Sequence, residues 1–191
     1  MLAKTVHRQN LLKLLENYRT RNPDESVVVN RFVSFVSANP RCFERDCWVG
    51  HVTGSVWLVN STGSQVLLTH HKKLGRWLQL GGHSDGDADT ARVALREAQE
   101  ESGLDVSLGF VQGKQQMCTD IFDIDVHEIP ARKDDPAHYH FDVRFVVQCL
   151  SHENYLVSDE SHDLAWVNIA EIESFTLESS ILRMKQKWQD L

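Results

Sequence analysis

One stretch of this chain constrains its fold more than any other: residues 81–104, with the sequence GGHSDGDADTARVALREAQEESGL. The stretch begins as a turn rich in Gly and Asp, and Asp87 or Asp89 then offers a side-chain cap for a helix. Gly103 follows at the point where a helix end favours a residue that can adopt positive φ. The sequence therefore predicts a turn, a capped helix and a glycine stop.

The predicted helix has two faces with different chemistry. Its apolar residues recur at helical spacing and form a stripe suited to packing: Ala91, Ala94, Leu95 and Ala98. Glu97, Glu100 and Glu101 lie within about one turn on the remaining surface, where like charges destabilise a helix. Arg96 can pair with Glu100 but cannot neutralise all the carboxylates. The pattern indicates a bound cation, and Mg²⁺ or Mn²⁺ suits carboxylate oxygens better than Zn²⁺ does.

The same residues resemble a known motif, the Nudix box. The residues that stand at the spacing of the box are Gly82, Arg96, Glu97, Ala98, Glu100, Glu101, Gly103 and Leu104. Ala88 departs from the pattern, which has a glutamate at this position, and Asp87 and Asp89 flank it. A plain solvated acidic helix is the alternative interpretation. The fixed glycines, the Arg-Glu pair and the apolar run WLQL before the turn favour a Nudix hydrolase.

The resemblance implies a fold, a reaction and a set of site residues. It implies an α/β/α sandwich with a mixed β-sheet, and metal-dependent hydrolysis of the pyrophosphate linkage of a nucleoside triphosphate, ADP-ribose or a similar compound. The implied ligands of Mg²⁺ or Mn²⁺ are Gly81, Glu97, Glu100 and Glu101. Arg96 would orient a glutamate, and one carboxylate would accept the proton of the attacking water. Which carboxylate does so, how many ions bind and which nucleotide is the substrate stay open.

The composition narrows the class of partner. The chain has 191 residues, 41% of them hydrophobic, which suits one soluble domain with a good core. The formal net charge is −7 without a dense basic run, so we expect a small phosphorylated substrate and no nucleic-acid polymer. No segment resembles a secretory signal or a membrane span. The cysteines lack disulfide or metal-binding spacing, so we expect a cytoplasmic protein with reduced thiols.

The chain divides into two predicted parts, an N-terminal helical segment at residues 1–45 and a Nudix domain at residues 46–191. The first helix is predicted from the spacing of Leu11, Leu14, Leu15 and Tyr18, and it ends before Asn22-Pro23. A second helix starts near Asp24 and stops at Asn39-Pro40. The segment could cover the sheet, cap the site or form a homodimer contact, and the sequence does not choose among these.

The rest of the chain is predicted to be rich in strands. Residues 51–60 and 64–71 suggest a hairpin, and residues 77–80 lead into the glycine turn. Residues 120–129 and 138–150 alternate polar and apolar side chains, as strands do when one face is buried. A last strand at residues 164–172 and an amphipathic helix at residues 177–188 complete the pattern.

The histidines on these strands admit two interpretations. His138, His140 and Asp142 point the same way along one strand, where they could ligate one metal ion. His83 and His127 would make such a site rich in nitrogen. We favour the alternative, in which the histidines line a cleft and bind substrate or the box carboxylates, because local spacing fixes no third ligand.

Other polar and aromatic residues are weaker candidates for the site. Arg144 is a candidate phosphate contact because its fork matches phosphate oxygens, and an ion pair with Asp142 or Asp125 is equally open. In Nudix enzymes a carboxylate outside the box often assists, and the candidates here, otherwise part of a solvated loop, are Asp159, Glu160 and Asp163. The tryptophans that could stack on a base, or else pack in the core, are Trp48, Trp57 and Trp77.

Two further function classes remain open at this stage. A Nudix-fold sensor would bind a nucleotide without hydrolysing it, and Ala88 is the feature that supports it. A histidine-centred metallohydrolase would depend on His140 and survive the loss of Glu101. A Nudix hydrolase makes the opposite prediction, that Glu101→Gln is crippling and that Ala88→Glu is tolerated or improves activity.

Overall fold

The computed structural model describes residues 2–109, 120–132, 135–150, 152–159 and 161–191, with side chains from residue 8 onward. Its α-helices are α1 (Leu2–Arg21), α2 (Ser26–Ala38), α3 (Thr90–Ser102) and α4 (Ser179–Gln189). Its strands are β1 (Gly50–Val59), β2 (Gln65–His71), β3 (Arg76–Leu78), β4 (Gly81–His83), β5 (Val106–Leu108), β6 (Asp123–Ile129), β7 (His138–Cys149) and β8 (Ser161–Asn168). Short 3-10 helices cover Pro23–Glu25 and Ile169–Ser174.

The strands form one mixed sheet built around β1 and β7. These two strands run parallel, with Gly50 opposite Tyr139 and Val59 opposite Gln148. The remaining pairs are antiparallel: β1 also pairs with β2 and β4, β2 with β3 and β8, and β7 with β5 and β6. Because the long parallel pair is central, residues from distant parts of the sequence share rows across the sheet.

The two faces of the sheet carry separate cores, as the alternation along β1 illustrates. Val52, Val56 and Leu58 belong to a core that includes residues of α1, α2 and α3. Trp57 and Val59 point to the other face, where they join residues of α4 and the second 3-10 helix. Helices on both faces of a mixed sheet confirm the predicted α/β/α architecture.

The N-terminal helices take part in the first of these cores. Leu11, Leu15 and Tyr18 of α1 are buried, and the ring of Phe35 in α2 stacks on Phe141 of β7 with centroids 3.7 Å apart. Of the three roles left open by the sequence, covering the sheet is the one that these contacts show. The division of the chain at residue 45 stays a prediction.

The element boundaries follow the sequence signals closely, with these main differences. The predicted strand at residues 77–80 is shorter, because β3 ends at Leu78 and pairs with β2. The predicted turn at Gly81-Gly82, for which we keep the name glycine turn, forms strand β4 and pairs with β1. Strand β5 was not predicted. The last strand starts earlier than predicted and ends at Asn168, whose side chain accepts a hydrogen bond from Ala170 N (3.1 Å) and caps the following 3-10 helix. Among the described residues, no helix is both long and apolar enough to cross a membrane.

Candidate active site

The box helix α3 rests directly on the sheet. Asp89 caps it by accepting a hydrogen bond from Arg92 N at 3.1 Å, and Gly103 ends it with φ 68°, as predicted. A side chain at Gly54 of β1 would place its Cβ 2.9 Å from the Thr90 carbonyl oxygen, so only glycine lets the helix approach this closely. This close approach of α3 to β1 determines where the polar face of the helix meets the glycine turn.

Two box glutamates hold the glycine turn against the helix. Glu101 Oε1 accepts a hydrogen bond from Gly81 N at 3.0 Å. A Cβ on Gly82 would lie 2.3 Å from Glu97 Oε2, so the Glu97 carboxylate occupies the space that any side chain there would need. Glu100 faces outward, with 64% of its side chain exposed. Glu97 and Glu101 therefore converge on one turn, and Glu100 stands at its solvent side.

Arg96 joins the turn to the carboxylates. Its Nη2 donates to the His83 carbonyl oxygen at 2.9 Å and to Glu97 Oε1 at 2.7 Å. The expected pair with Glu100 is longer, at 3.9 Å. The hydrogen bond to Glu97 raises the pKa of Arg96 above its ordinary value, with the charges of Glu97 and Glu100 adding to it. Arg96 thus orients Glu97, and its single charge serves more than one carboxylate.

This donor set fits a hard divalent cation. Glu97, Glu100 and Glu101 supply only oxygen, which Mg²⁺ and Mn²⁺ prefer. Arg96 pairs with Glu97 and lies 3.9 Å from Glu100, and a bound cation would place further positive charge beside the three carboxylates. The structure shows the Gly81 amide hydrogen-bonded to Glu101, whereas a role for the Gly81 carbonyl as a ligand stays a prediction.

Ala88, the departure from the box, borders a cavity of about 1020 Å³. The cavity lies between α1, the segment around Phe43 and the start of α3. None of the box glutamates is among its described lining residues. Ala88 itself packs against the main core. The cavity therefore adjoins the position where the box pattern has a glutamate, and it is separate from the cluster of box carboxylates.

Five histidines meet on the sheet face opposite α3, and we call them the histidine cluster: His51, His83, His127, His138 and His140. His51 lies beside His140 in the parallel pairing of β1 and β7, and His127 of β6 lies opposite His140 on its other side. The ring of His51 is 4.7 Å from that of His140, 4.9 Å from that of His138 and 5.0 Å from that of His83, between centroids. The sheet thus gathers four predicted histidines around one that the sequence reasoning missed.

Two rings at the centre of the cluster bury nitrogens without hydrogen bonds. Both ring nitrogens of His51 and Nε2 of His140 are enclosed and lack a partner among the described residues. Burial, followed by the neighbouring histidines, lowers the pKa of His51 to about 4 and that of His140 to about 2. The Cys47 carbonyl acts weakly in the opposite direction on His51, but it accepts from Gly50 N at 2.9 Å and completes no hydrogen bond with the ring.

Two other rings of the histidine cluster are held in place by hydrogen bonds at their Nδ1 atoms. His138 Nδ1 donates to the Pro136 carbonyl oxygen at 2.8 Å, and His127 Nδ1 donates to Asp125 Oδ2 at 2.9 Å. Since these oxygens only accept, each Nδ1 carries the proton, and in the neutral ring Nε2 keeps its lone pair. A hydrogen bond of this kind fixes the tautomer of a metal-binding histidine in known sites.

Arg144 is enclosed by carboxylates, which corrects its predicted role as a phosphate contact. The side chain is buried, its Nε donates to Asp142 Oδ2 at 2.7 Å and its Nη1 to Asp123 Oδ2 at 3.0 Å. Asp125 lies 3.6 Å from its Nη2. The alternative ion pair is therefore what the structure shows, because these carboxylates occupy the fork that a phosphate would need. With Arg183 and Lys187 of α4, which also bind Asp123, these residues form what we call the charge cluster.

Asp142 belongs to the charge cluster and not to a metal site with His138 and His140. Besides Arg144, its carboxylate accepts hydrogen bonds from Thr53 Oγ1 and Ser55 Oγ, both at 2.8 Å. The third imidazole beside His138 and His140 comes instead from His51. The signal in the sequence was its alternation with Thr53 and Ser55 along β1, which puts three polar side chains on one face of an otherwise apolar strand.

The remaining candidates are scattered. Trp57 is buried in the core and Trp77 stacks on His70, whereas Trp48 is 44% exposed and its ring edge contacts His138 at 5.9 Å between centroids. Asp163 accepts from the backbone N of Leu164 (2.9 Å). The Asp159 backbone carbonyl accepts from Lys72, and Glu160 lies outside the described residues.

Comparison with solved structures shows the same fold at low sequence identity. A Nudix-family hydrolase from Clostridium perfringens is 22% identical, with a TM-score of 0.54 over 73% of this chain and 96% of that chain. The Escherichia coli dihydroneopterin triphosphate pyrophosphohydrolase is 14% identical, with a TM-score of 0.55 over 73% and 96%. An Ap4A hydrolase from Caenorhabditis elegans is 12% identical, with a TM-score of 0.50 over 73% and 95%.

Comparison of the sequence itself assigns the family. No curated protein sequence matches significantly. The family model described as the NUDIX domain matches residues 50–187, which is well over half of the chain and spans the glycine turn, the box helix and the histidine cluster. The chain therefore belongs to the Nudix superfamily, which confirms the enzyme class predicted from the box, that of the Nudix-type pyrophosphohydrolases.

Proposed function

We propose that this protein hydrolyses the pyrophosphate linkage of a nucleoside diphosphate derivative, such as a nucleoside triphosphate or ADP-ribose, with the help of a divalent cation. The observation that carries the proposal is the convergence of Glu97 and Glu101 on the Gly81-Gly82 turn. Because both glutamates are held there, by Arg96 and by the Gly81 amide respectively, the two carboxylates are positioned near each other, as a shared cation requires. Mg²⁺ is the first choice and Mn²⁺ the second.

A divalent cation bound at these carboxylates would neutralise the charge that develops on the phosphate oxygens and lower the pKa of bound water. Glu97, Glu100 and Glu101 would hold it. Glu100, which is the most exposed, keeps a carboxylate available to accept the proton of the attacking water. Arg96 would keep Glu97 in place through the hydrogen bond described above.

The proposed substrate is a class of compounds that contain a phosphoric anhydride. The fold neighbours named above include hydrolases named for dihydroneopterin triphosphate and for Ap4A, and both compounds contain phosphoric anhydrides. We propose that the substrate is a small phosphorylated nucleotide, and these two names define the first compounds to test alongside nucleoside triphosphates, nucleotide sugars and ADP-ribose.

The experiment measures phosphate, pyrophosphate or monophosphate release from this panel with Mg²⁺ or Mn²⁺. We expect metal-dependent turnover of at least one compound, and a loss of about 100-fold or more in kcat for Glu101→Gln, since removal of a catalytic proton acceptor or ligand has effects of this size. Glu171→Gln is the matched control, because it neutralises an exposed glutamate of the second 3-10 helix. Ala88→Glu should be tolerated or raise the rate.

Two outcomes would overturn the proposal. Equal turnover by wild type and Glu101→Gln would remove the box carboxylates from the reaction. No turnover of any compound with either metal, together with a rise in melting temperature on addition of one of the nucleotides, would favour the non-hydrolytic sensor. Ala88 is the observation that gives the sensor its support.

We also propose a cytoplasmic location. The described cysteines Cys42 and Cys47 are free thiols, and Cys42 is buried. Buried free thiols suit a reducing compartment. Measuring the thiol content of protein isolated without reductant tests this part of the proposal, because disulfide formation would contradict it.

A further inference from the structure

We propose that His51, His138 and His140 form a second metal site, which binds a divalent transition-metal ion with Zn²⁺ as the first choice. One nitrogen from each ring lies within 4.8 Å of the others. A tetrahedral ion with Zn–N bonds of about 2.0–2.1 Å holds its nitrogens about 3.3 Å apart, so modest side-chain rotations would close the set. The site does not depend on the proposed hydrolysis.

The burial of His51 is the strongest reason to expect a ligand. Its side chain is only 2% exposed, yet neither ring nitrogen has a hydrogen-bond partner among the described residues. Burying a polar group without a partner is unfavourable, and native proteins satisfy nearly all such groups with protein, water or an ion. His140 Nε2 is enclosed and unpartnered in the same place. Two adjacent rings with unsatisfied nitrogens point to one shared ligand.

The chemistry of the rings selects the class of ion. A metal ion binds imidazole through the lone pair of a ring nitrogen, and His51 and His140 both bring enclosed ring nitrogens to this place. The Pro136 carbonyl holds His138 in the tautomer that leaves Nε2 available. Three imidazole nitrogens suit Zn²⁺, Co²⁺, Ni²⁺ or Cu²⁺ and do not suit Mg²⁺, which prefers oxygen. The ligand set therefore separates this site from the box carboxylates.

The surroundings offer candidate fourth ligands and one side that reaches solvent. His83 and His127 flank the central ring of His140, with centroids 5.2 and 5.5 Å from it. His127 is 43% exposed, so the cluster reaches solvent on that side. Three protein nitrogens with an open position resemble sites that bind water or a substrate oxygen. His83 also links this site to the box, because its carbonyl accepts the hydrogen bond from Arg96.

The first test uses the wild-type protein and the metal alone. Metal-free protein is titrated with Co²⁺, whose visible d–d absorption is strong in four- or five-coordinate nitrogen sites and weak in six-coordinate oxygen sites. We expect strong absorption that saturates at one equivalent of Co²⁺ per chain. Zn²⁺ should displace the Co²⁺ and abolish the absorption, and excess Mg²⁺ should leave it unchanged. Weak absorption only, or displacement by Mg²⁺, would overturn the proposal. This test requires no variant, so it does not depend on how a substitution folds.

The second test places the ion. Equilibrium dialysis with Zn²⁺ should show one bound ion per chain in wild type and in Glu101→Gln, and at least a 10-fold weaker affinity in His51→Leu and His140→Leu. His162→Leu is the control, because His162 is exposed and also stands beside a second histidine, His70. Circular dichroism confirms that each variant is folded. Loss of the ion in Glu101→Gln, or its retention in both cluster variants, would refute the assignment.

The two tests separate this inference from the proposed function. If the protein hydrolyses no nucleotide but binds Zn²⁺ at the histidines, the proposed function fails and the site stands. If Mg²⁺-dependent hydrolysis is found and no Zn²⁺ binds, the site fails and the proposed function stands.

Discussion

The charge cluster around Arg144 and the histidine cluster around His51 lie side by side on the same sheet face, one row apart along β1 and β7. In the charge cluster Arg144 meets three carboxylates, and Asp142 also accepts from two hydroxyl groups. In the histidine cluster two rings, those of His51 and His140, have enclosed nitrogens without partners among the described residues. The polar groups of the charge cluster find partners within the protein, whereas two rings of the histidine cluster have nitrogens that find none among the described residues.

This difference separates structural polar groups from binding groups better than residue type does. On the sequence alone Arg144 was the phosphate candidate and the histidines were possible cleft residues. Burial is common to both clusters, so burial does not distinguish them either. The distinguishing property is whether each donor and acceptor finds a partner, because a buried polar network is stable only when its members are satisfied.

The largest expected effect comes from removing the cation of the charge cluster. Arg144→Met should lower the free energy of unfolding by about 3–5 kcal/mol, because it removes the ion pair of buried Asp142 and one of the ion pairs of buried Asp123. Urea denaturation monitored by tryptophan fluorescence measures the change. The control is Arg41→Met, which removes an exposed ion pair with Asp46 and should change stability by less than about 1 kcal/mol. Similar losses in both variants would contradict the structural role of Arg144.

A smaller effect is expected from the histidine cluster. In metal-free protein, His51→Leu should change the free energy of unfolding by less than about 1.5 kcal/mol, because it replaces a buried ring of similar volume that makes no hydrogen bond. Denaturation in the presence of a chelator measures this. With Zn²⁺ at 100 times its Kd, wild type alone should gain about 2.7 kcal/mol. A loss in the metal-free variant as large as that of Arg144→Met would mean that His51 is structural.

The smallest expected effect is a change in how steeply the free energy of unfolding depends on pH when Asp125 is replaced. Burial opposes ionisation of Asp125, but the hydrogen bond from His127 and the charges of Arg144 and Arg183 outweigh it and hold its pKa below the ordinary value. The stabilisation from Asp125 is therefore complete above the unfolded pKa of about 3.9 and is lost as the pH falls toward the lower folded pKa. Asp125→Asn should reduce the slope of unfolding free energy between pH 4 and 3 by at most about 1.4 kcal/mol per pH unit. An unchanged slope would show that Asp125 titrates normally.

Local signals in the sequence predicted the box region well. The cap at Asp89 and the stop at Gly103 depend on residues within a few turns of one another, and the structure has them as expected. Of the predicted apolar stripe, Ala94 and Ala98 are buried and Ala91 and Leu95 are partly buried, and Val93 is buried as well. The polar faces of β6 and β7 also followed from strand alternation. The two missed features are His51 as a member of the histidine cluster and Asp123 as the centre of the charge cluster.

These two features could not be predicted because their partners are distant in the chain. His51 was one polar residue at the start of an apolar strand, and alternation alone does not say which strand will lie beside it. The same limit applied to Arg144, whose fork could have served a phosphate or a carboxylate until the carboxylates were placed around it.

The sequence by itself determined the family, the box helix and the carboxylates that face the glycine turn, because these depend on spacing within one short segment. Only the tertiary structure decided which polar side chains are satisfied and which are not. The physical reason is the parallel pairing of β1 with β7, which sets His51 beside His140 and Ser55 beside Arg144. A shift of that register by one residue would turn every one of these side chains to the other face.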